Sequence, residues 1–372
     1  MARQATVVGL GNIGSALANL IGNVAGLEAV QLIDDDVYTE SNVGSQCISS
    51  DAVGIAKVVY QGERLRREHP TLRVEAILDR IENVPLGRFR GSIVLACVDN
   101  RSARQTCNRV ARRLGLDYID GSVQAPSLAR VAAFGPAQSA PCLECGWDDA
   151  VYASLDQRYA CRPEAELTPA TGASRELGAT VAALQAAELR KRLEEPTRES
   201  SLCGGQFMLD TASYSGNLHG FSRNAACRFD HRVWDIEVVD LDLAACNLDE
   251  LFDACGDLAD PAFELEGLSF ATYLDCRECG KRSTLGLALP SRLPASQRAC
   301  ECGGRLQAPG FYSFGTLRRA ELSALQRRRT LGALGLKVGD VVSISSGHRD
   351  VRHIEIGGHQ DIERPGNRRT PG

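Results

Sequence analysis

The chain has 372 residues, 44% of them hydrophobic and 24% charged, with a formal net charge of -5. This is the make-up of an ordinary soluble globular protein with chain enough for two or three domains. No global basic field points to nucleic acid, and no apolar run is long enough to span a bilayer. The first residues, Met1-Ala2-Arg3-Gln4, lead straight into a strand with no signal peptide, so the fourteen cysteines are expected in a reducing cytoplasm. There they read as metal ligands or reactive thiols before disulfides.

Thr6-Val7-Val8 is a short apolar run that opens into Gly9-Leu10-Gly11-Asn12-Ile13-Gly14. Leu17, Leu20, Ile21 and Val24 then recur at helical spacing, and Val30 to Ile33 forms a second apolar run that ends at Asp34. The order strand, glycine turn, helix, strand and acid fits a nucleotide-binding unit. Gly9 and Gly11 allow a tight turn and close approach to phosphate, Gly14 allows helix and strand to pack closely, and the helix N-terminus attracts an anion.

Up to about residue 135 the pattern alternates. Strands are expected at 5–8, 29–33, 72–76, 92–97, 117–119 and 129–134, and helices at 14–25, 51–68 and 101–114. That alternation predicts an α/β fold with a parallel sheet covered on both faces. Asp34, Asp36 and Asp99 fall at the carboxyl ends of strands, where open α/β sheets bind ligands. Together with Lys57 they suit ATP and magnesium better than a nicotinamide cofactor. Taken singly, Asp36 or Asp99 would also serve as a helix cap.

The string LIDDDV, then Asn42 and Gln46, then Lys57 and CVDNRSAR, resembles the superfamily of ThiF, MoeB and the ubiquitin-activating enzymes. The resemblance covers roughly residues 5–235 in pattern order. It implies a Rossmann-like sheet flanked by helices, a homodimer, and adenylation of the C-terminal glycine of a ubiquitin-like protein. It also implies that Asp34 binds the ribose, that Asn42, Gln46 and Lys57 face the phosphates, and that Asp99 holds magnesium. Two positions depart from the family. Ser45 stands where an arginine precedes the glutamine, and Arg3 alone precedes the first strand, where the family has an arginine that reaches the partner subunit's phosphates. Arg101 and Arg104 are candidate substitutes, or simply a solvated helix face.

Pro141-Cys142-Leu143-Glu144-Cys145 gives half of a zinc site. Cys227 and His231 complete it at C-x3-H spacing, with Cys203 as a rival ligand; the resemblance supports this pairing. Cys161 precedes a helix over Leu177 to Leu193 whose LQAAELRK resembles the family's LQALEAIK. The resemblance places the thioester-forming cysteine there. Arg158 and Arg162 beside it would favour the thiolate, although a lone cysteine on a polar loop can also be incidental.

Gln206 to Met208 would extend the sheet. Beyond it, Val233 to Leu243 reads as strand and Leu248 to Ala254 as a short helix. Cys276-Arg277-Glu278-Cys279-Gly280 and Cys300-Glu301-Cys302-Gly303 read as a second zinc site, a ribbon of the kind that serves more often as an interaction module than as a catalyst. A basic amphipathic helix is expected over Arg318 to Arg329, then a hairpin of Val341 to Ile344 with Arg352 to Ile356. The expected domains are 1–240 for adenylation, 241–330 for the ribbon and 331–356 for a small β element, with a disordered tail over 357–372.

The resulting expectation is an ATP- and magnesium-dependent adenylyltransferase with two structural zinc ions. A thioester on Cys161 would pass to a conjugating protein, with neither nucleic acid nor membrane as partner. Such architectures resemble the activating enzymes of bacterial ubiquitin-like conjugation operons, some of which serve antiphage defence. Activation of a sulfur-carrier protein, a catalytically inactive scaffold and a nicotinamide dehydrogenase are the alternatives.

Overall fold

The computed structural model describes residues 3–124, 126–156, 173–194, 202–254, 260–309, 313–346 and 350–357. The chain divides into two compact units. One comprises Met1–Val84 and Phe89–Val233, the other Pro85–Arg88 and Trp234–Gly372.

The first unit contains β1 (Gln4–Val8), α1 (Asn12–Ile21), β2 (Ala29–Ile33), α2 (Lys57–Glu68), β3 (Arg73–Ile77), β4 (Ser92–Ala96), α3 (Arg101–Arg113), β5 (Tyr118–Gln124) and β6 (Leu128–Phe134). It continues through α4 (Asp149–Asp156), α5 (Arg175–Glu194), β7 (Gly205–Asp210) and β8 (Ser215–Gly220). The eight strands form one sheet in the order β3-β2-β1-β4-β5-β6-β7-β8. Strands β3 to β5 run parallel, and β5 to β8 are antiparallel to their neighbours. The sheet is therefore mixed, where the sequence predicts a parallel one. Only residues 125–127 separate β5 from β6, too few for a parallel crossover. Strands β2 and β4 are buried along their whole length, as expected of central strands covered on both faces. Leu10, Leu17, Ile21, Leu32, Leu95, Ile119, Leu177, Val181 and Leu189 share one core, which packs α1 and α5 on the sheet.

Order 3-2-1-4-5 puts a topological switch point between β1 and β4, where crevices for ligands form. Two helices of the first unit differ from expectation. The one expected at 51–68 begins only at Lys57, because Gly54 adopts φ +86° and interrupts any helix before it. The one expected at 14–25 runs from Asn12 to Ile21.

The second unit contains β9 (Ile236–Asp240), α6 (Leu248–Ala254), β10 (Ala262–Glu264), β11 (Phe270–Cys276), β12 (Arg282–Ala288), β13 (Leu306–Gln307), β14 (Ser313–Phe314), β15 (Thr316–Arg318), α7 (Ala324–Arg327), β16 (Val341–Ser346) and β17 (Asp350–Gly357). One sheet has the order β15-β10-β16-β17-β9, and a smaller one is built on β11 with β12, β13 and β14. The expected hairpin is β16 with β17. It joins one sheet with β9 and β10, so residues on either side of positions 241 and 331 share a core that includes Phe263, Leu317, Val342 and Ile356. The helix expected over Arg318 to Arg329 is a correction. Its first residue, Arg318, ends β15, in which the preceding Leu317 pairs with Phe263 and is buried; Arg319–Glu321 forms a single 3-10 turn, and only Ala324–Arg327 is α-helical. Leu325 is 80% exposed, so this stretch buries no apolar helix face there.

Candidate functional site

The glycine turn closes the crevice beside β1. Gly9 has φ +87°, and a Cβ on it would lie 2.8 Å from the Cys97 carbonyl oxygen. A Cβ on Gly14 would lie 1.9 Å from the Gly9 carbonyl oxygen, so neither position accepts a side chain. Gly11 differs. The nearest atom to its missing Cβ is the Gln46 amide nitrogen at 4.0 Å, so this glycine opens space above the turn instead of relieving a clash inside it. Gly11 also caps α1 with no side-chain bond, so first-turn N–H groups are left for an anion.

Asp34 ties this turn to β2. Its carboxylate accepts from the Leu10 N–H at 2.6 Å and the Asp36 N–H at 2.9 Å. Burial pushes the Asp34 carboxyl above its usual range, against the pull of Lys57. Lys57, 7% exposed at the start of α2, donates to Asp36 at 2.8 Å and stands 3.9 Å from Asp34. The lysine thus faces the two acids at the strand end. Asp36 is paired with it and caps no helix. Tyr38, fully buried, donates to the Leu10 carbonyl at 2.9 Å and accepts from Gln61 at 2.8 Å, which braces the turn from behind.

The segment after Asp36 folds over the start of α1. Asn42 accepts through Oδ1 from the Thr39 N–H at 2.9 Å and closes a short turn. Gln46 is buried and its Oε1 has no hydrogen-bond partner. The Asn12 amide donates to the carbonyls of Ser45 at 2.5 Å and Ser174 at 3.1 Å, which links α1, this segment and the start of α5. Across the switch point, Asp99 is exposed just beyond β4. The cap of α3 is Asn100, whose Oδ1 accepts the Ala103 N–H at 2.8 Å, so Asp99 has no capping duty.

The candidate substitute arginines are otherwise engaged. Arg104 donates to the fully buried Asp120 and to the Val98 carbonyl, both at 2.6 Å. Exposed Arg101 donates to the Ser154 hydroxyl at 2.8 Å. Arg3 precedes β1 at the opposite end of that strand from the turn. Cys161 lies outside the described residues.

The two cysteine sets assemble as their spacing predicts. Cys142, Cys145, Cys227 and His231 bring their ligand atoms within 4.8 Å of one another, and so do Cys276, Cys279, Cys300 and Cys302. Zinc bound to sulfur at about 2.3 Å in a tetrahedron holds its sulfurs about 3.8 Å apart. In the first set Cys142 stands 4.0 Å from both Cys145 and Cys227, and the His231 Nε2 is 3.3 Å from Cys142 and 3.4 Å from Cys145. In the second, Cys276 to Cys302 and Cys279 to Cys300 are both 3.6 Å. Both donor sets therefore fit zinc. Cys203 is exposed and outside the first set. His231 adopts φ +60°, strain of the sort that sites retain. Burial and the nearby cations Arg223 and Arg112 hold its imidazole down to about 4, so it stays neutral, as a ligand must. In the ribbon, Gly280 and Gly303 follow their cysteines at φ +73° and +89°.

Between Cys142 and Cys145 lies a residue the sequence did not single out. Glu144 is fully buried and accepts from Gln105 at 2.8 Å, Asn108 at 3.2 Å, Arg109 at 3.3 Å and Tyr152 at 3.1 Å. It fastens the cysteine knuckle to α3. An acid between two cysteines of a buried turn was the only signal available.

A mixed sheet of this order, with a glycine turn and acids at the ends of β2 and β4, defines a nucleotide-binding α/β protein of the ThiF type. The ThiF family model matches residues 2–228, and the chain belongs to that family. Ubiquitin-like modifier-activating enzyme 5 of Gallus gallus is 26% identical over 167 residues, covering 41% of this chain and 42% of the relative. The adenylyltransferase and sulfurtransferase UBA4 of Yarrowia lipolytica is 30% identical over 123 residues, 32% of this chain and 31% of that protein. The chain thus spans less than half the length of these curated relatives. In fold it is similar to E. coli MccB, with TM-score 0.50 and 18% identity over 61% of this chain and 64% of that one. No helix among the described residues is long and apolar enough to cross a membrane.

Proposed function

We propose that the chain is an ATP-dependent adenylyltransferase that activates the C-terminal carboxylate of a ubiquitin-like protein. One observation carries this reading: an α1 N-terminus with no side-chain cap, set beside Asp34, Asp36 and Lys57 at the switch point. That is an anion site for phosphates joined to an acid for a ribose. The names of the relatives, a modifier-activating enzyme and an adenylyltransferase, support it.

In the proposed reaction an oxygen of the substrate carboxylate attacks the α-phosphorus of ATP. The bond from that phosphorus to the bridging oxygen breaks, pyrophosphate leaves and an acyl adenylate forms. Backbone N–H groups from Gly9 to Gly14 cradle the phosphates, Asp34 accepts from the ribose, and Asn42, Gln46 and Lys57 face the polyphosphate. Asp99 would hold magnesium, which when bound offsets charge developing on the phosphates. The Cys161 thiolate then attacks the acyl carbon, the bond to AMP breaks, and the thioester passes to a conjugating protein. The enzyme acts as a homodimer in the cytoplasm with two structural zinc ions. Its second unit suits a dedicated partner, as in bacterial conjugation systems that include antiphage defence.

Ser45 favours a second reading, an inactive scaffold that binds the ubiquitin-like protein. ATP–pyrophosphate exchange in the presence of a ubiquitin-like protein decides between them. Exchange is expected, and Cys161→Ala should retain it while losing a thiol-sensitive adduct. Partner binding without exchange supports the scaffold.

A further inference from the structure

Ser45 removes a cation from the segment that faces the proposed phosphate site, and Arg104, Arg101 and Arg3 do not replace it there. Arg175, the first residue of α5, does approach this segment. Its Nη2 donates to the Val43 carbonyl, two residues before Ser45. Its Nε is buried without a hydrogen-bond partner, so a donor on this guanidinium lacks an acceptor. The placement is held from two sides. Asn12 bonds the carbonyls of both Ser45 and Ser174, the residue before Arg175. A Cβ on Gly178 would lie 2.1 Å from the Asn12 Oδ1 and 2.9 Å from its carbonyl oxygen, so the first turn of α5 sits directly on the residue that follows Gly11. Asn12 Oδ1 and Gln46 Oε1 are also buried without partners. Three orphaned polar atoms therefore lie on the elements that these bonds tie together: α1, α5 and the segment between Asn42 and Gln46.

We infer that Arg175 is a phosphate-binding cation of this protein beside Lys57, reaching from α5 to the β- and γ-phosphates of a nucleoside triphosphate in place of an arginine at position 45. The inference rests on the proposed nucleotide site. A guanidinium offers five donors in a fixed fork, and one bond to Val43 leaves the others for phosphate oxygens. Arg64 on α2 also has unpartnered buried nitrogens, but no hydrogen bond joins it to the segment from Asn42 to Gln46.

Calorimetric titration of the full chain with ATP and with AMP, magnesium present, tests this. Arg175→Ala should weaken ATP by about 10- to 100-fold, the range for hydrogen bonds to charged groups, and leave AMP affinity unchanged. The double variant S45R/R175A should recover ATP affinity, which a misfolded protein would not do. Unchanged ATP affinity in R175A, equal loss of ATP and AMP, or a selective loss of ATP in R64A instead would overturn the assignment. Failure of the wild-type chain to bind either nucleotide would overturn the nucleotide site itself, and Arg175 with it.

Discussion

Asp34 and Glu144 are both carboxylates sunk into the first unit, and their surroundings are opposite in kind. Glu144 is enclosed by four side-chain donors from α3 and α4 and reaches no solvent. Asp34 has two backbone N–H donors, a lysine held at 3.9 Å that bonds Asp36 instead, and a carboxyl pushed up by burial. On the segments that pack on the start of α1, Asn12, Gln46 and Arg175 carry unpartnered atoms. A network that satisfies its buried charge rigidifies the fold, whereas a buried charge kept short of partners costs stability and is ready for a ligand. The contrast marks the knuckle around Glu144 as structural and fits the turn around Asp34 to the proposed binding role.

The largest expected effect breaks the structural side. Cys142→Ser removes a buried ligand, and structural zinc contributes about 10 kcal/mol or more of folding free energy in small domains. On the proposed two-zinc reading, metal content should fall by one zinc ion, and thermal unfolding of the first unit should shift down strongly. Unaltered zinc content would show that this set holds no metal. Glu144→Ala comes next. It leaves Arg109 and the buried Asn108 without their acceptor, at a cost of about 2–4 kcal/mol. Urea denaturation should report the loss with zinc retained, and loss of zinc instead would make Glu144 part of metal retention. Cys279→Ser is smaller still for the first unit. This thiol is exposed on the second unit, so one zinc should be lost while the first unit's transition stays in place.

What was legible in the sequence has a common character: it is local. The glycine turn, the strand ends at Asp34 and Asp99, and the paired cysteines are fixed by spacing of a few residues. The hairpin of β16 and β17 likewise follows from one alternation pattern and a short connection. The segment from Arg318 to Arg329 shows where this fails. Its leucines and arginines have helical propensity, but Arg318 and the Leu317 before it are drawn into a sheet opposite Ala262 and Phe263, more than fifty residues earlier in the chain. Arg175 and Glu144 were illegible for the same reason. Arg175 meets Val43 across 132 positions, and Glu144 meets Asn108 across 36. No local pattern encodes such contacts. Gly54, by contrast, could have been read as a break before Lys57.

The last test touches the binding side alone, and it has the opposite sign. Asp34→Asn keeps an acceptor for the Leu10 N–H but removes the buried charge. Because the folded-state carboxyl titrates above its ordinary value, the folded chain holds this proton more tightly than the unfolded chain does. Ionised Asp34 therefore weighs against folding at neutral pH, and that cost fades as the pH falls through the raised value and the group protonates. Asp34→Asn should then be slightly more stable than the wild type at pH 7, by denaturant titration, and the difference should shrink on acidification. Nucleotide affinity should fall in the same variant, because an amide is a poorer acceptor for a ribose hydroxyl than a carboxylate. If the variant is less stable at pH 7, the attraction of Lys57 outweighs burial, and Asp34 belongs with Glu144 as a structural acid.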